Sequence, residues 1–530
     1  MRKISLFDST LRDGSQAEGI SFSVEDKLKI VESLDTLGVE YIEAGNPGSN
    51  PKDLEFFFRS KDLNLKHAKL VAFGSTRRRN TKAEDDPNLK SLVRAGTSYV
   101  AIFGKSWDFH VTDIIRTTLE ENLAMIEDSI RFITESGSEV FFDAEHYFDG
   151  YLANKEYAIA SLRAALSGGA TLLVLCETRG GIIPSEIKRI TQETIALFPD
   201  VAFGIHTHDD IGCAVASSLA AVQAGVTQVQ GTLLGFGERC GNANLASIAG
   251  ILGAKLGFDC LCGESPERLT GICRRVAEIA NVRISGSAPF IGKSAFAHKG
   301  GMHIDGVQKN PQSFEHIDPM VVGNERRLLM SEVAGRALML KRIARIAPNL
   351  DKDDPVTVSL MDELKRLESE GYQFEGAESS FDLVIRRHLK MYRPYFSLVH
   401  YQTIGSSPYA DPLSDATHAA VVKVKVKGES AITAAEGEGP VNALDRALRK
   451  VLEQFYPTLK SVHLTDYKVR VLDSAGATAS KVRVLIESTD GEESWSTIGV
   501  SKDIIEASWF ALSDSIEYKL IADGVEPSGE

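Results

Sequence analysis

The chain has 530 residues, 43% of them apolar and 25% charged, with 44 Gly and 17 Pro. That length exceeds one ordinary core of roughly 100–200 residues, so two or three folded units are expected and long disorder is not. Lys plus Arg number 59 against 73 Asp plus Glu, and the net charge of −14 repels phosphate backbones, so no nucleic-acid partner is expected.

The start, MRKISLFDST, lacks the apolar stretch of a secretion signal, and no apolar run approaches the roughly 18 residues of a membrane span. Six cysteines (Cys176, Cys213, Cys240, Cys260, Cys262 and Cys273) give no disulfide framework, and Cys260-Leu-Cys262 lacks the second close pair of a metal knuckle. Reduced thiols, a cytoplasmic location and no membrane partner are the expectation.

From Lys3 to about residue 250 one unit repeats: a short β-branched or aromatic run, a polar turn, then an amphipathic helix. Strands are expected at Ile4–Phe7, Tyr41–Glu43, Ala68–Phe73, Ser98–Phe103, Glu139–Phe142, Thr171–Leu175, Ala202–Ile205 and Thr227–Gln230. Helices such as Val24–Leu37 and Leu119–Glu135 separate them. Gly38, Gly96, Gly169 and Gly225 stand where left-handed helix ends are needed. Eight such units predict an α/β fold of the (β/α)8 TIM-barrel type rather than an open sheet.

The residues just past those strands are polar and chemically able: Arg12 and Asp13, Glu43, Asp143, Glu145 and His146, Glu177 to Gly181, His206 to Asp210, and Gly235 to Asn244. In a barrel they share the C-terminal mouth, where such folds place their chemistry. His206-Thr207-His208 is the sharpest signal, because the strand period of two points both imidazoles the same way. Asp13, brought opposite by closure, can complete a two-His, one-carboxylate set; Asp209 or Asp210 can also reach inward or orient a histidine, which leaves the third ligand open. Such a mixed set accepts Mg²⁺, Mn²⁺ or Zn²⁺. Arg12 can turn its charge toward a developing oxyanion, with a salt bridge to Glu43 or Glu145 as the plainer reading. Glu43 and Glu145 are both placed for proton transfer. Gly180-Gly181 and Gly235-x-Gly237 offer close backbone approach to a substrate.

Five stretches in order, LRDGSQAEG (Leu11–Gly19), HTHDDIGCAVA (His206–Ala216), GFGERCGNANL (Gly235–Leu245), FAHKGGMHIDGV (Phe296–Val307) and DPMVVGNERR (Asp318–Arg327), resemble the Claisen-type condensing branch of the DRE-TIM metallolyase superfamily. 2-Isopropylmalate and homocitrate synthases are members of that branch. The resemblance implies Asp13, His206, His208 and Asn242 as ligands of a divalent metal, Arg12 at the 2-oxo oxygen, Thr178 at the 2-oxo acid's carboxylate, and Glu145 beside the metal. It implies His303 as a catalytic histidine supplied across a homodimer interface. Where relatives commonly carry a tyrosine shortly after that histidine this chain has Phe314, leaving Asp305 or His316 as substitutes. The implied reaction joins acetyl-CoA to pyruvate and hydrolyses the thioester, within isoleucine biosynthesis; larger 2-oxo acids, or a non-catalytic small-molecule sensor, are the alternatives.

Beyond the barrel region, 1–265, residues 266–379 read as helical accessory subdomains, with helices at Ser265–Ala280, Glu332–Ile346 and Val356–Glu370. Residues 380–530 read as a C-terminal α+β domain of two sheet-then-helix units. Its expected strands are Phe381–Arg387, Ala419–Lys427, Tyr467–Leu472 and Lys481–Ser488, and its helices Val441–Phe455 and Lys502–Ile516. Val422, Val424 and Val426 alternate with Lys423, Lys425 and Lys427 as in a strand with one wet face. GEGPVNALDRAL (Gly437–Leu448) resembles the regulatory domain of 2-isopropylmalate synthase, which implies an allosteric role, with isoleucine as the effector nominated by the pathway.

Overall fold

A computed structural model describes residues 3–329, 343, 345–348, 350, 354–406, 417–472 and 480–527. It falls into two compact units: one reaches Ala297 and includes Gly306–Arg327, and the other comprises His298–Asp305 and the chain from Leu328 onward.

In the first unit β1 (Ser5–Asp8), β2 (Tyr41–Gly45), β3 (Lys69–Ser75), β4 (Tyr99–Lys105), β5 (Glu139–Glu145), β6 (Leu172–Glu177), β7 (Ala202–Thr207) and β8 (Gln228–Gly231) close into a barrel. All neighbours are parallel, and closure pairs Ser5 with Gln228 and Asp8 with Gly231. The helices α1 (Val24–Leu37), α2 (Pro51–Arg59), α3 (Pro87–Ala95), α4 (Leu119–Glu135), α5 (Tyr147–Ala153), α6 (Lys155–Gly168), α7 (Pro184–Leu197) and α8 (Ala214–Ala224) lie between successive strands, in the order the repeat predicts. Side-chain parity divides the core. Phe7, Val71, Phe73, Ala101, Phe141, Leu172, Val174 and Cys176 form one cluster inside the barrel. Their chain neighbours Leu6, Ala72, Ile102, Phe142, Leu173 and Leu175 belong to the larger cluster shared with the helices.

Local signals set the helix limits. A reciprocal Ser23–Asp26 capping box opens α1, and Gly38 closes it at φ +89°, where an added Cβ would sit 2.1 Å from the Leu261 carbonyl oxygen. Short helices α9 (Leu245–Ala249) and α10 (Leu269–Ile279) follow the barrel, and α11 (Gly301–Lys309) carries the GGMHIDG motif.

The second unit holds α12 (Pro355–Glu370), capped by Asp354, and α13 (Glu378–His388). The strand expected at Phe381–Arg387 is therefore a helix. Phe381, Leu383 and Ile385 do alternate, but Ser380 and Arg387, two helical turns apart, both bond the Asp514 carboxylate at 2.7 Å, and Arg386, Arg387 and His388 complement the C-terminal dipole. Then come β9 (Ser397–Ser406), β10 (Thr417–Val426), β11 (Glu429–Gly437) and α14 (Pro440–Leu452). A matching set follows: β12 (His463–Val471), β13 (Val482–Thr489), β14 (Ser494–Ser501) and α15 (Ile504–Ala522). Each triplet is antiparallel, giving the two expected sheet-then-helix units; β9, β11 and β14 escaped the sequence pattern. Val422, Val424 and Val426 are buried against Leu444, Leu448 and Val451, leaving the alternating lysines outward. The helix expected over Glu332–Ile346 lies largely outside the described residues. Among the described residues no helix is long and apolar enough to cross a membrane, and all six cysteines are free.

One buried ion pair anchors the mouth end of β2. Lys27 Nζ donates to Asp53 Oδ1 at 2.6 Å and to the Ala44 carbonyl at 2.8 Å, while Asp53 Oδ2 accepts from the Asn46 amide. Removing one partner of such a pair strands the other charge, at a cost of about 3–5 kcal/mol. Lys27→Met is expected to lower the barrel's melting temperature by roughly 6–15 °C in calorimetry, and an unchanged transition would show that the pair is not structural.

Candidate active site

The alternation that fills the barrel with apolar side chains continues into polar ones at its C-terminal end. Glu43 follows Tyr41, Asp143 and Glu145 follow Phe141, Thr178 follows Cys176, and His206, His208, Gln228 and Gln230 extend β7 and β8. Asp13 enters from the turn after β1, its backbone N–H donating to Ser9 Oγ.

Asp13 Oδ2 lies 3.3 Å from His206 Nε2 and 3.8 Å from His208 Nε2. All three residues are buried, and their ligand atoms fall within 4.8 Å of one another. Asp209 and Asp210 are engaged elsewhere: Asp209 Oδ1 accepts from the Ala214 amide at the start of α8, and Asp210 pairs with Arg239 Nε at 2.7 Å. Asp13 is thus the carboxylate brought to the histidine pair.

The donor set fits a divalent cation. Burial alone would raise the Asp13 pKa, but the Arg12 charge and the His206 hydrogen bond outweigh it and hold the carboxyl well below its ordinary range. Burial and the neighbouring His206 lower His208 to about 3, leaving a neutral imidazole with a lone pair to offer. His208 Nδ1 and Asn242 Oδ1 are both buried without a protein hydrogen-bond partner. Asn242 Nδ2 donates to the Phe236 carbonyl, and the backbone of Asn242 bridges to that of His208. Gly237 serves this loop rather than open space for a substrate: a Cβ there would approach Asn242 Nδ2 to 2.3 Å. Gly180 likewise packs against Asp210.

Arg12 makes the salt bridge considered for it: its Nε donates to Glu43 Oε2 at 2.6 Å, while Nη1 stays 3.5 Å from Asp13 Oδ1. The guanidinium carbon stands 3.7 Å from the Phe73 ring centroid, and Phe73 stacks on Phe103. Glu43 also accepts from Ser9 Oγ, so it holds Arg12 in place from a fully buried position. Glu145 forms an ion pair with Lys105. Thr178 Oγ1 accepts from the His146 amide at 2.9 Å, which leaves its own O–H to donate.

His303 and Asp305 are exposed on α11 and belong to the second unit, whereas His316 belongs to the first, where its ring packs with Phe290 and Phe296. Phe314 lies over Gly306. Lys105, Phe73 and the glutamines of β8 were not among the site residues read from the sequence. Parity could have found them, since Lys105 continues Tyr99, Ala101 and Phe103 along β4.

The HMGL-like family matches residues 3–259, the homocitrate synthase post-HMGL domain-like family residues 290–371, and the LeuA allosteric (dimerisation) domain residues 375–520. An (R)-citramalate synthase of Aquifex aeolicus is 51% identical over 524 residues, covering 99% of each chain. One from Geobacter sulfurreducens is 50% identical over 98% of each chain. A probable 2-isopropylmalate synthase of Methanopyrus kandleri is 29% identical over 96% of each chain. With its barrel, its buried Asp-His-His cluster and this full-length similarity, the chain belongs to the family of the (R)-citramalate synthases.

Proposed function

We propose that the chain condenses acetyl-CoA with pyruvate and hydrolyses the thioester, giving (R)-citramalate and CoA for isoleucine biosynthesis. The observation that carries this reading is the step in identity, from 51% and 50% with (R)-citramalate synthases to 29% with a probable 2-isopropylmalate synthase, at nearly equal coverage. Residues 1–265 form the catalytic domain in this reading, 266–379 the accessory region, and 380–530 the regulatory domain.

Asp13, His206, His208 and Asn242 hold the divalent ion, with Mg²⁺ or Mn²⁺ favoured by the hard oxygen ligands and Zn²⁺ also compatible. When bound, such an ion would act as a Lewis acid toward the ketone of a 2-oxo acid. The Thr178 hydroxyl donates to the acid's carboxylate. Arg12, fixed through Nε by Glu43, presents its positive charge where the ketone oxygen becomes anionic. Proton removal from the acetyl methyl group needs a base at hydrogen-bond distance, and Glu145, oriented by Lys105, and His303 are the groups assigned to proton transfer. Asp305 and His316 stand behind them as secondary candidates, since Phe314 offers no hydroxyl.

The LeuA allosteric (dimerisation) match supports a homodimer, and in this reading His303 acts across its interface. Isoleucine is the proposed effector of the C-terminal domain. It acts by binding two conformational states with different affinity, typically a coupling of about 1–3 kcal/mol.

Two experiments test this. Steady-state thiol release with pyruvate, 2-oxobutyrate, 2-oxoisovalerate and 2-oxoglutarate should give pyruvate the highest kcat/KM, with isoleucine inhibiting more strongly than leucine or valine; a preference for 2-oxoisovalerate together with leucine inhibition would contradict the assignment. Mixing inactive Arg12→Ala and His303→Ala subunits should restore up to roughly a quarter of wild-type activity, because half the dimers are mixed and half of their sites complete. Fully inactive, verified heterodimers would place His303 within its own subunit.

A further inference from the structure

We infer that Gln230 is a positioning residue for His206: its side-chain carbonyl holds the imidazole with the proton on Nδ1, so that the Nε2 lone pair is directed toward the cation shared with Asp13. The inference rests on the metal reading above and concerns a residue outside the ligand set.

Gln230 is completely buried at the end of β8, paired in register with His206 on β7. Its Oε1 lies 2.9 Å from His206 Nδ1. On its other side Nε2 donates to Asp143 Oδ1 and to Gln228 Oε1, each at 3.3 Å. Both N–H groups of the amide therefore have acceptors, and a flip would set its carbonyl against two oxygens. With the amide fixed, the group facing His206 is an acceptor only, and the imidazole must place its proton there. Without a metal, His206 Nε2, 3.3 Å from Asp13 Oδ2, can carry a second proton and donate it to that carboxylate; with Nδ1–H held by Gln230, loss of that second proton leaves the Nε2 lone pair facing a cation shared with Asp13.

A carboxylate at position 230 would fix the same tautomer. It would also add a negative charge to a mouth already lined by Asp13, Glu43, Asp143 and Glu145, opposed by Arg12 and Lys105. The neutral amide orients the ligand without that cost. His208, whose Nδ1 has no such partner, is the less constrained of the two histidines.

The test is Mn²⁺ binding, followed by the electron paramagnetic resonance signal of the free ion, for the full-length wild type, Gln230→Met and Gln230→Glu. Gln230→Met removes the acceptor at nearly constant volume and is expected to weaken Mn²⁺ binding about 10–100-fold, the usual effect of losing an orienting partner. Gln230→Glu restores the acceptor and should recover most of the affinity. Without metal the melting temperature of Gln230→Met should stay near that of wild type, while the rise produced by Mn²⁺ shrinks. If Gln230→Met does not fold, Gln230→Asn, which withdraws the acceptor by one methylene, is measured in its place with the same expectation. Unchanged Mn²⁺ affinity in the folded variant would overturn the inference alone. An equal loss in Gln230→Glu would assign the effect to packing and also overturn it. Failure of the wild type to bind Mn²⁺ would overturn it together with the metal reading on which it rests.

Discussion

In a closed parallel barrel every second side chain of every strand points toward one axis, and a polar residue one step past the last apolar inward position enters a shared mouth. Here that step is taken on several strands. Tyr41 gives way to Glu43, Phe141 to Asp143, Phe103 to Lys105, and β7 and β8 deliver histidines and glutamines at the same height. The aromatic layer of Phe7, Tyr41, Tyr99 and Phe141 fills the barrel below them. The site is therefore a continuation of the core, built on strands that cannot slip register without exposing their apolar faces.

Charge balance is the second constraint. Buried ions cost several kcal/mol each unless paired, and the mouth pairs most of its own: Arg12 with Glu43 and Asp13, Lys105 with Glu145. Four carboxylates (Asp13, Glu43, Asp143 and Glu145) face two permanent or near-permanent cations, which leaves room for two positive charges. Burial, with Glu43's charge adding to it, pushes Asp143 up to about 7, so its proton offsets part of that excess. A divalent ion bound at Asp13 more than covers the negative charge that then remains.

Much of this was legible in the sequence because it obeys local rules. Periodicity and glycine end signals located all eight barrel strands, and α1 and α4 agree with expectation at both ends. His206 and His208 were readable as a pair because strand spacing turns both imidazoles the same way, whereas Asp13, on the turn after β1, was one of three carboxylates considered and was singled out by the resemblance. Each misreading turns on a side-chain partner that no local pattern announces. Phe381–Arg387 alternates like a strand, yet it is wound into a helix whose face is tied to Asp514, over a hundred residues away. Gly237 looked like room for a substrate, but the Asn242 side chain fills that room. Lys105 and Gln230 were passed over since a lone lysine or glutamine at a strand end carries no motif; only the partners Glu145 and His206 give them meaning.

Barrel closure, with the turn after β1, gathers Asp13, His206 and His208 into a centre for one divalent cation. Anomalous diffraction at the manganese edge from crystals of the full chain soaked in Mn²⁺ tests it most directly. One strong peak per barrel, within about 2.0–2.3 Å of Asp13 Oδ2 and both Nε2 atoms, is the predicted result. Manganese bound elsewhere in the barrel, with these three side chains left without an ion between them, would contradict it.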